Sequence, residues 1–142
     1  MAGITAVAEV EIAAPAARVW QALTDPEIIA RYFFGSQVET DWKPGSPIVW
    51  KGEFEGKAYE DKGRVLEIRP NRQLKVSHFS PMSGLPDKPE NYHTLNYELQ
   101  EHAGSTRVSL SQDNNTDEAE AARSTQNWQA MLAGLKRTVE AG

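Results

Sequence analysis

From Ile48 to Gln112, apolar residues return at every second position, in runs broken by Pro, Gly and Asn. From Trp128 to Val139 the spacing lengthens to three and four. A chain that changes period once, from 2 to 3.6, is constrained to lay a strand meander against one long terminal helix, because each element is apolar on one face only. That order of elements is the α+β pattern.

The individual elements follow from the same spacing. Ile4, Ala6, Ala8, Val10 and Ile12 alternate with Glu9 and Glu11, which reads as a half-buried strand. Pro15 suits the first turn of a helix carrying Val19, Trp20 and Leu23, and Asp25 caps a second, short helix with Pro26 at its first position. Trp42-Lys43-Pro44-Gly45 places Pro and Gly as a type II turn requires. Strands are predicted over about 48–54, 58–69, 73–79, 92–100 and 105–112, with Pro70-Asn71 and Gly104 at reversals and a proline-rich loop from Ser80 to Asn91. The terminal helix runs from Asn115 or Thr116 to Glu140, roughly 36 Å at 1.5 Å per residue. Either residue can cap it, and Asp117, Glu118 and Glu120 complement the positive end of its dipole. Its apolar stripe is Trp128, Met131, Leu132, Leu135 and Val139, and its upstream half is small and polar.

The 142 residues fit one domain, spanning 1–142, that is large enough to bury a core without disulfides, and the chain has no cysteine. Fifteen basic residues against twenty acidic ones give a net charge of −5. That balance argues against nucleic-acid and anionic-membrane partners, which need a basic footprint. No apolar run approaches the ~18 residues of a membrane span, and the N-terminus lacks the basic start of a signal peptide. The expectation is a soluble cytoplasmic protein without integral membrane contact.

Pairing the strands gives a register with chemical content. Reversal at Asn71 sets Ile68 against Leu74, Leu66 against Val76 and Arg64 against His78. Reversal within the proline loop sets His78 against His93, Val76 against Leu95 and Leu74 against Tyr97. Closing the last hairpin around His102-Ala103 sets Tyr97 against Val108, Leu95 against Leu110 and His93 against Gln112. Two inner rows are then apolar except for the Tyr97 hydroxyl, and the third reads Arg64–His78–His93–Gln112. A one-residue slip would turn either apolar set outward. The polar row lies under the proline loop and near the N-terminus of the long helix, an arrangement suited to a carboxylate or phosphate head. The alternative is that these are solvated residues at the open end of the sheet. Glu60, set opposite Gly52, is a further inward candidate beside Arg64.

The segment Pro15 to Phe33 (PAARVWQALTDPEIIARYF), then Lys43-Pro44-Gly45, Gly63 to Pro70 (GRVLEIRP), Ser105 to Leu110 (STRVSL) and Asn127 to Glu140 (NWQAMLAGLKRTVE) resemble the heat-shock-protein-90 ATPase activator homologue family of the START-like, or SRPBCC, helix-grip superfamily. Asn127 stands where that family usually has Gly. The resemblance implies a curved antiparallel sheet gripping the C-terminal helix, with a cavity between them. The superfamily mixes carriers, cyclases, hydrolases, receptors and chaperone partners, so fold alone does not settle activity.

Three functions are therefore weighed. The first is a binding protein for a small apolar or amphipathic molecule, such as a lipid or polyketide. Trp50, Tyr97 and Trp128 would meet its body, Arg64, His78, His93 and Gln112 its polar head, and residues 80–91 would form a lid. Phe54 is a further candidate for the cavity wall, and Phe33-Phe34-Gly35 for a gate over it. The second is a cyclase or hydrolase with a histidine acid/base. No nucleophile elbow is present, Ser83-Gly84 lacking the upstream glycine, and the phosphate-cradling glycine loops and the H-E-x-x-H pair are absent as well. No catalytic residue, cofactor or metal is assigned, and the reading leans away from an enzyme. The third is a chaperone-associated stress protein. Chaperone contact is not expected, because in the family's namesake it depends on an N-terminal domain that this short chain lacks. The Phe79–Tyr92 pair on the outer face is a candidate homodimer contact.

Overall fold

A computed structural model describes residues 3–33, 35–54, 56–81 and 84–141; Phe34, Glu55, Ser83 and the Phe54 side chain fall outside that set. The chain forms β1 (Ile4–Ile12), α1 (Ala16–Thr24), α2 (Pro26–Tyr32), β2 (Gln37–Glu39), β3 (Pro47–Phe54), β4 (Lys57–Arg69), β5 (Gln73–His78), β6 (His93–His102), β7 (Ser105–Asn115) and α3 (Glu118–Ala141). The seven strands make one antiparallel sheet in the order β1-β7-β6-β5-β4-β3-β2. The sheet holds α3 against its inner face, the α+β helix-grip architecture expected.

The local signals act as expected at several points. The Asp25 carboxylate accepts from the Glu27 N–H at the head of α2. Gly45 sits at φ 88° and the Ser46 N–H donates to the Lys43 carbonyl at 3.0 Å, closing a type II turn. The core gathers Ile12, Ile48, Val65, Leu95 and Leu110 from the sheet and Met131, Leu132 and Leu135 from α3, all essentially without solvent contact. Each such side chain contributes about 1.5–3 kcal/mol by leaving water. Gly134 admits α2 closely, since a Cβ there would lie 3.3 Å from Tyr32 Cβ. The Tyr32 hydroxyl donates to the Ala22 carbonyl at 2.8 Å, tying α1 to α2.

Two departures from the expected register and one from the expected helix cap shape the site. The β5–β6 pairing is as read, with His78 opposite His93 and Leu74 opposite Tyr97. On β4, however, Val65 rather than Leu66 faces Val76, with a bulge between Val65 and Glu67. Leu66 is expelled to 41% exposure. One inserted residue reverses the facing of everything upstream, because the side-chain period is two. Arg64 is therefore exposed on the outer side, its guanidinium donating to the Gly45 carbonyl at 3.0 Å. Glu60 also turns to solvent opposite Lys51, and Tyr59, not Glu60, stands against Gly52. Gly63 makes this packing feasible, since a Cβ there would lie 1.8 Å from the Ser77 carbonyl oxygen.

The β6–β7 hairpin turns at Ala103-Gly104, with φ of 52° and 83°, rather than at His102-Ala103. Tyr97 thus faces Leu110, and Leu95 faces Gln112. The slip is two residues, so each side chain keeps its face. Finally, Asp117 caps α3 by accepting from the Glu120 N–H at 2.8 Å. Thr116 N–H donates back to the Glu120 carboxylate. Asn115 is buried instead, at the end of β7.

Candidate functional site

A cavity of about 490 Å³ opens at the end of the sheet, between β4–β7, the N-terminal half of α3 and the proline-rich loop. It lies where α3 is small and polar, so the helix leaves the sheet end unfilled. The sheet wall presents Tyr59, Asp61, His78, His93 and Gln112; the helix wall presents Glu120, Ser124, Asn127 and Trp128. The loop contributes Ser80, Leu85, Glu90 and Asn91, and Phe33 closes the α2 side.

Of the seven residues selected from sequence, four line this cavity: His78, His93, Gln112 and Trp128. Trp50 and Tyr97 lie deeper, around a second void of about 20 Å³, room for roughly one water. Burial pushes the Tyr97 phenol well above its ordinary range, so it stays neutral. Trp50 meets the His78 ring edge-on, with centroids 5.0 Å apart. Arg64 is displaced to the outer side by the bulge. The same bulge brings in Tyr59 and Asp61, which the sequence reading passed over. The signal for them was Gly63, a residue that marks close backbone approach in a strand.

Asp61 and His78 form the polar centre. Their side chains are 16% exposed each, and Nε2 of His78 lies 2.9 Å from Oδ2 of Asp61. Oδ1 of Asp61 and Nδ1 of His78 are buried with no hydrogen-bond partner among the described residues. Gln112 is committed to the frame. Its Oε1 accepts from Trp128 Nε1 at 2.7 Å, and its Nε2 donates to Asn115 Oδ1 and Ser124 Oγ at 3.0 and 3.1 Å. His93 Nδ1 donates to the Asp113 carbonyl at 2.8 Å. Trp128 also packs edge-on to Phe33, with ring centroids 5.9 Å apart.

The loop over the cavity is pinned. Asp87 pairs with Lys62 and accepts from the Tyr92 hydroxyl at 2.6 Å, and these two groups, Lys62 first, hold its carboxyl below the usual carboxylate range. Asn114 Nδ2 donates to the carbonyls of Glu90 and Tyr92. Phe79 stacks on Tyr92 at 5.1 Å but is only 3% exposed, so the pair is not the exposed aromatic patch expected. Glu53, Asp61, Glu90 and Glu120 are among the lining residues, and among the described residues no Lys or Arg is. No group of three or more His, Asp or Glu residues with metal-holding geometry occurs among the described residues. Nor is any helix among them long and apolar enough to cross a membrane.

The sequence model of the family described as Activator of Hsp90 ATPase homolog 1-like protein matches residues 13–140. A protein from Cytophaga hutchinsonii with a known solution structure is 48% identical, with a TM-score of 0.86 over 99% of this chain and 97% of that one. The Aha1 dimer from Colwellia psychrerythraea is 20% identical, with a TM-score of 0.77 over 98% of each chain. A protein of the dynemicin biosynthetic locus shares the fold at 20% identity, with a TM-score of 0.81 over 97% of this chain and 48% of that one. No protein of curated function matches the chain.

Proposed function

The chain belongs to the Activator of Hsp90 ATPase homolog 1-like family, and from that premise we propose that it is a binding protein for a small amphipathic molecule, held between the sheet end and α3. The cavity of about 490 Å³ carries this reading. Its size falls within the ordinary range for small-molecule sites, roughly 300–1,000 Å³. Trp128, Phe33 and Leu85 offer apolar surface for the body of the ligand, and the Asp61–His78 pair faces its polar end. Ser80, Leu85, Glu90 and Asn91 border it on the loop side, with Asp87 as the latch. A mixed wall of this kind favours a molecule with one apolar and one polar end over a uniformly apolar lipid.

The test is native mass spectrometry of freshly purified protein, followed by denaturing extraction. A stoichiometric co-purifying small molecule, lost in Trp128→Ala, is the expected result. A clean apo mass, together with no thermal shift against panels of lipids and aromatic polyketide-like compounds, would refute it. Binding at 100 times Kd adds about 2.7 kcal/mol, which such a screen detects readily. A second reading, acid/base chemistry at His78, is favoured by the Asp61–His78 hydrogen bond. It requires turnover of a bound compound that disappears in His78→Ala.

A further inference from the structure

We infer that the cavity selects a ligand whose polar end donates hydrogen bonds and carries positive charge, an organic amine or related cation, and not a carboxylate or phosphate. The inference rests on the binding function proposed above and specifies its ligand class.

Many donors of the wall are spent within the frame, the Asn127 amide and the Ser80 hydroxyl apart. Both hydrogens of Gln112 Nε2 are taken by Asn115 and Ser124, and the Trp128 indole N–H by Gln112. Asn114 Nδ2 spends its hydrogens on two carbonyls, and Asn91 Nδ2 donates to the Pro86 carbonyl. The head of α3 carries the chain's own carboxylates, Asp117 on the Glu120 N–H and Glu120 on the Thr116 N–H. Negative charge already placed there opposes a ligand anion at the same end.

At the Asp61–His78 end of the cavity it is the acceptors that are unmatched. Opposite Oδ2 of Asp61, which only accepts, a neutral His78 carries its proton on Nε2, so Nδ1 is left as an acceptor. Opposite the Asp113 carbonyl, a neutral His93 likewise carries its proton on Nδ1 and presents Nε2 as an acceptor. Asp61 Oδ1 and His78 Nδ1 are buried without a donor among the described residues. Buried acceptors left unmatched are unfavourable, and a ligand N–H is the group that satisfies them. Four carboxylates and no Lys or Arg among the described lining residues set the sign of the field. In a partly desolvated site that sign rejects an anion as firmly as it attracts a cation. The ammonium end therefore sits toward Asp61 and His78, with the apolar body against Trp128 and Phe33.

The test uses three matched probes: 2-(1-naphthyl)ethylamine, 2-(1-naphthyl)ethanol and 3-(1-naphthyl)propanoate, repeated with the corresponding phenylbutyl series. Binding is read from the Trp128 indole N–H resonance, assigned with Trp128→Phe, at physiological salt. Reading that one signal separates cavity binding from diffuse attraction of amines to an acidic protein. The amine is expected to bind at least tenfold more tightly than the carboxylate, with the alcohol between them. Asp61→Asn keeps an acceptor for His78 but removes the charge, and is expected to narrow the amine-to-carboxylate ratio at least fivefold. Glu90→Gln, which leaves the Asp61–His78 pair intact, narrows it less. A carboxylate that binds as well as the amine overturns the ligand class and leaves cavity binding standing. An amine preference unchanged in both variants overturns the assignment to these acceptors. If no probe of either series moves the Trp128 signal, the binding function fails and the ligand class with it.

Discussion

Asn115 is the residue whose removal tests the frame of the site most directly. It is fully buried, and its side chain makes four hydrogen bonds. Nδ2 donates to the carbonyls of Ile4 and Gln112 at 2.8 and 2.9 Å, and Oδ1 accepts from Gln112 Nε2 and Ser124 Oγ at 3.0 and 3.1 Å. One amide thereby ties the start of β1, the end of β7 and α3, and through Gln112 it positions Trp128. At about 0.5–1.5 kcal/mol per bond the network amounts to about 2–6 kcal/mol, and water entering the space left by truncation restores part of it. Asn115→Ala is therefore expected to destabilise the fold by about 2–4 kcal/mol, a large share of the ~5–15 kcal/mol typical of a domain. With a urea slope of roughly 2 kcal/mol per molar, the midpoint falls by about 1–2 M. Urea titration followed by both circular dichroism and tryptophan fluorescence measures this. Asn115→Ala combined with Ser124→Ala is expected to be non-additive by at least ~0.5 kcal/mol, since the two side chains share a bond. A midpoint shift below ~0.3 M at unchanged slope, or strict additivity, would show that the network contributes little and refute the argument.

Two further expectations follow from the backbone and from the termini. Ala103 holds φ 52° in a two-residue hairpin turn where Asn-Gly is the preferred pair. Ala103→Asn is thus expected to stabilise the protein by about 0.5–1 kcal/mol, read as a raised thermal midpoint; a lowered midpoint would contradict the turn geometry. Glu140 is held below the usual carboxylate range by the Ala13 N–H first and then by Lys136. Its folded value is depressed, so its contribution is present above the unfolded value of about 4.5 and is lost as pH falls through the folded value. Glu140→Gln should be less stable than the parent at pH 7, with the difference lost as pH falls below the unfolded value and through the lower folded one. A gap that persists in acid would mean that the carboxylate charge is not what joins α3 to the β1–α1 connection.

Much of the architecture was legible because its signals are local. The Asp25 cap, the Pro44-Gly45 turn and the 3.6-residue stripe from Trp128 to Val139 depend on neighbours within one or two turns of chain. The β5–β6 register was legible too, because both strands alternate cleanly and a slip would expose Leu74, Val76 and Leu95. The failures lie where local evidence is ambiguous. Val65 and Leu66 are adjacent apolar residues, and either can face inward. The choice falls to packing, which puts Val65 in the core, puts Leu66 in solvent and needs Gly63 to let the Ser77 carbonyl approach. The short β2 carries too few residues for its period to register.

The amino-acid pattern thus contained the helix-grip arrangement, its single long helix and the polar end of the sheet at which His78 and His93 meet. Tertiary structure decided the chemical sign of that end. A one-residue bulge carried Arg64 out and Asp61 in, and Asp117 and Glu120 set carboxylates at the head of α3, where an anion would otherwise be favoured. The reason is geometric: a period of two turns one extra residue into a change of face, so a single unpredictable bulge converts an expected cationic pocket into an acidic one.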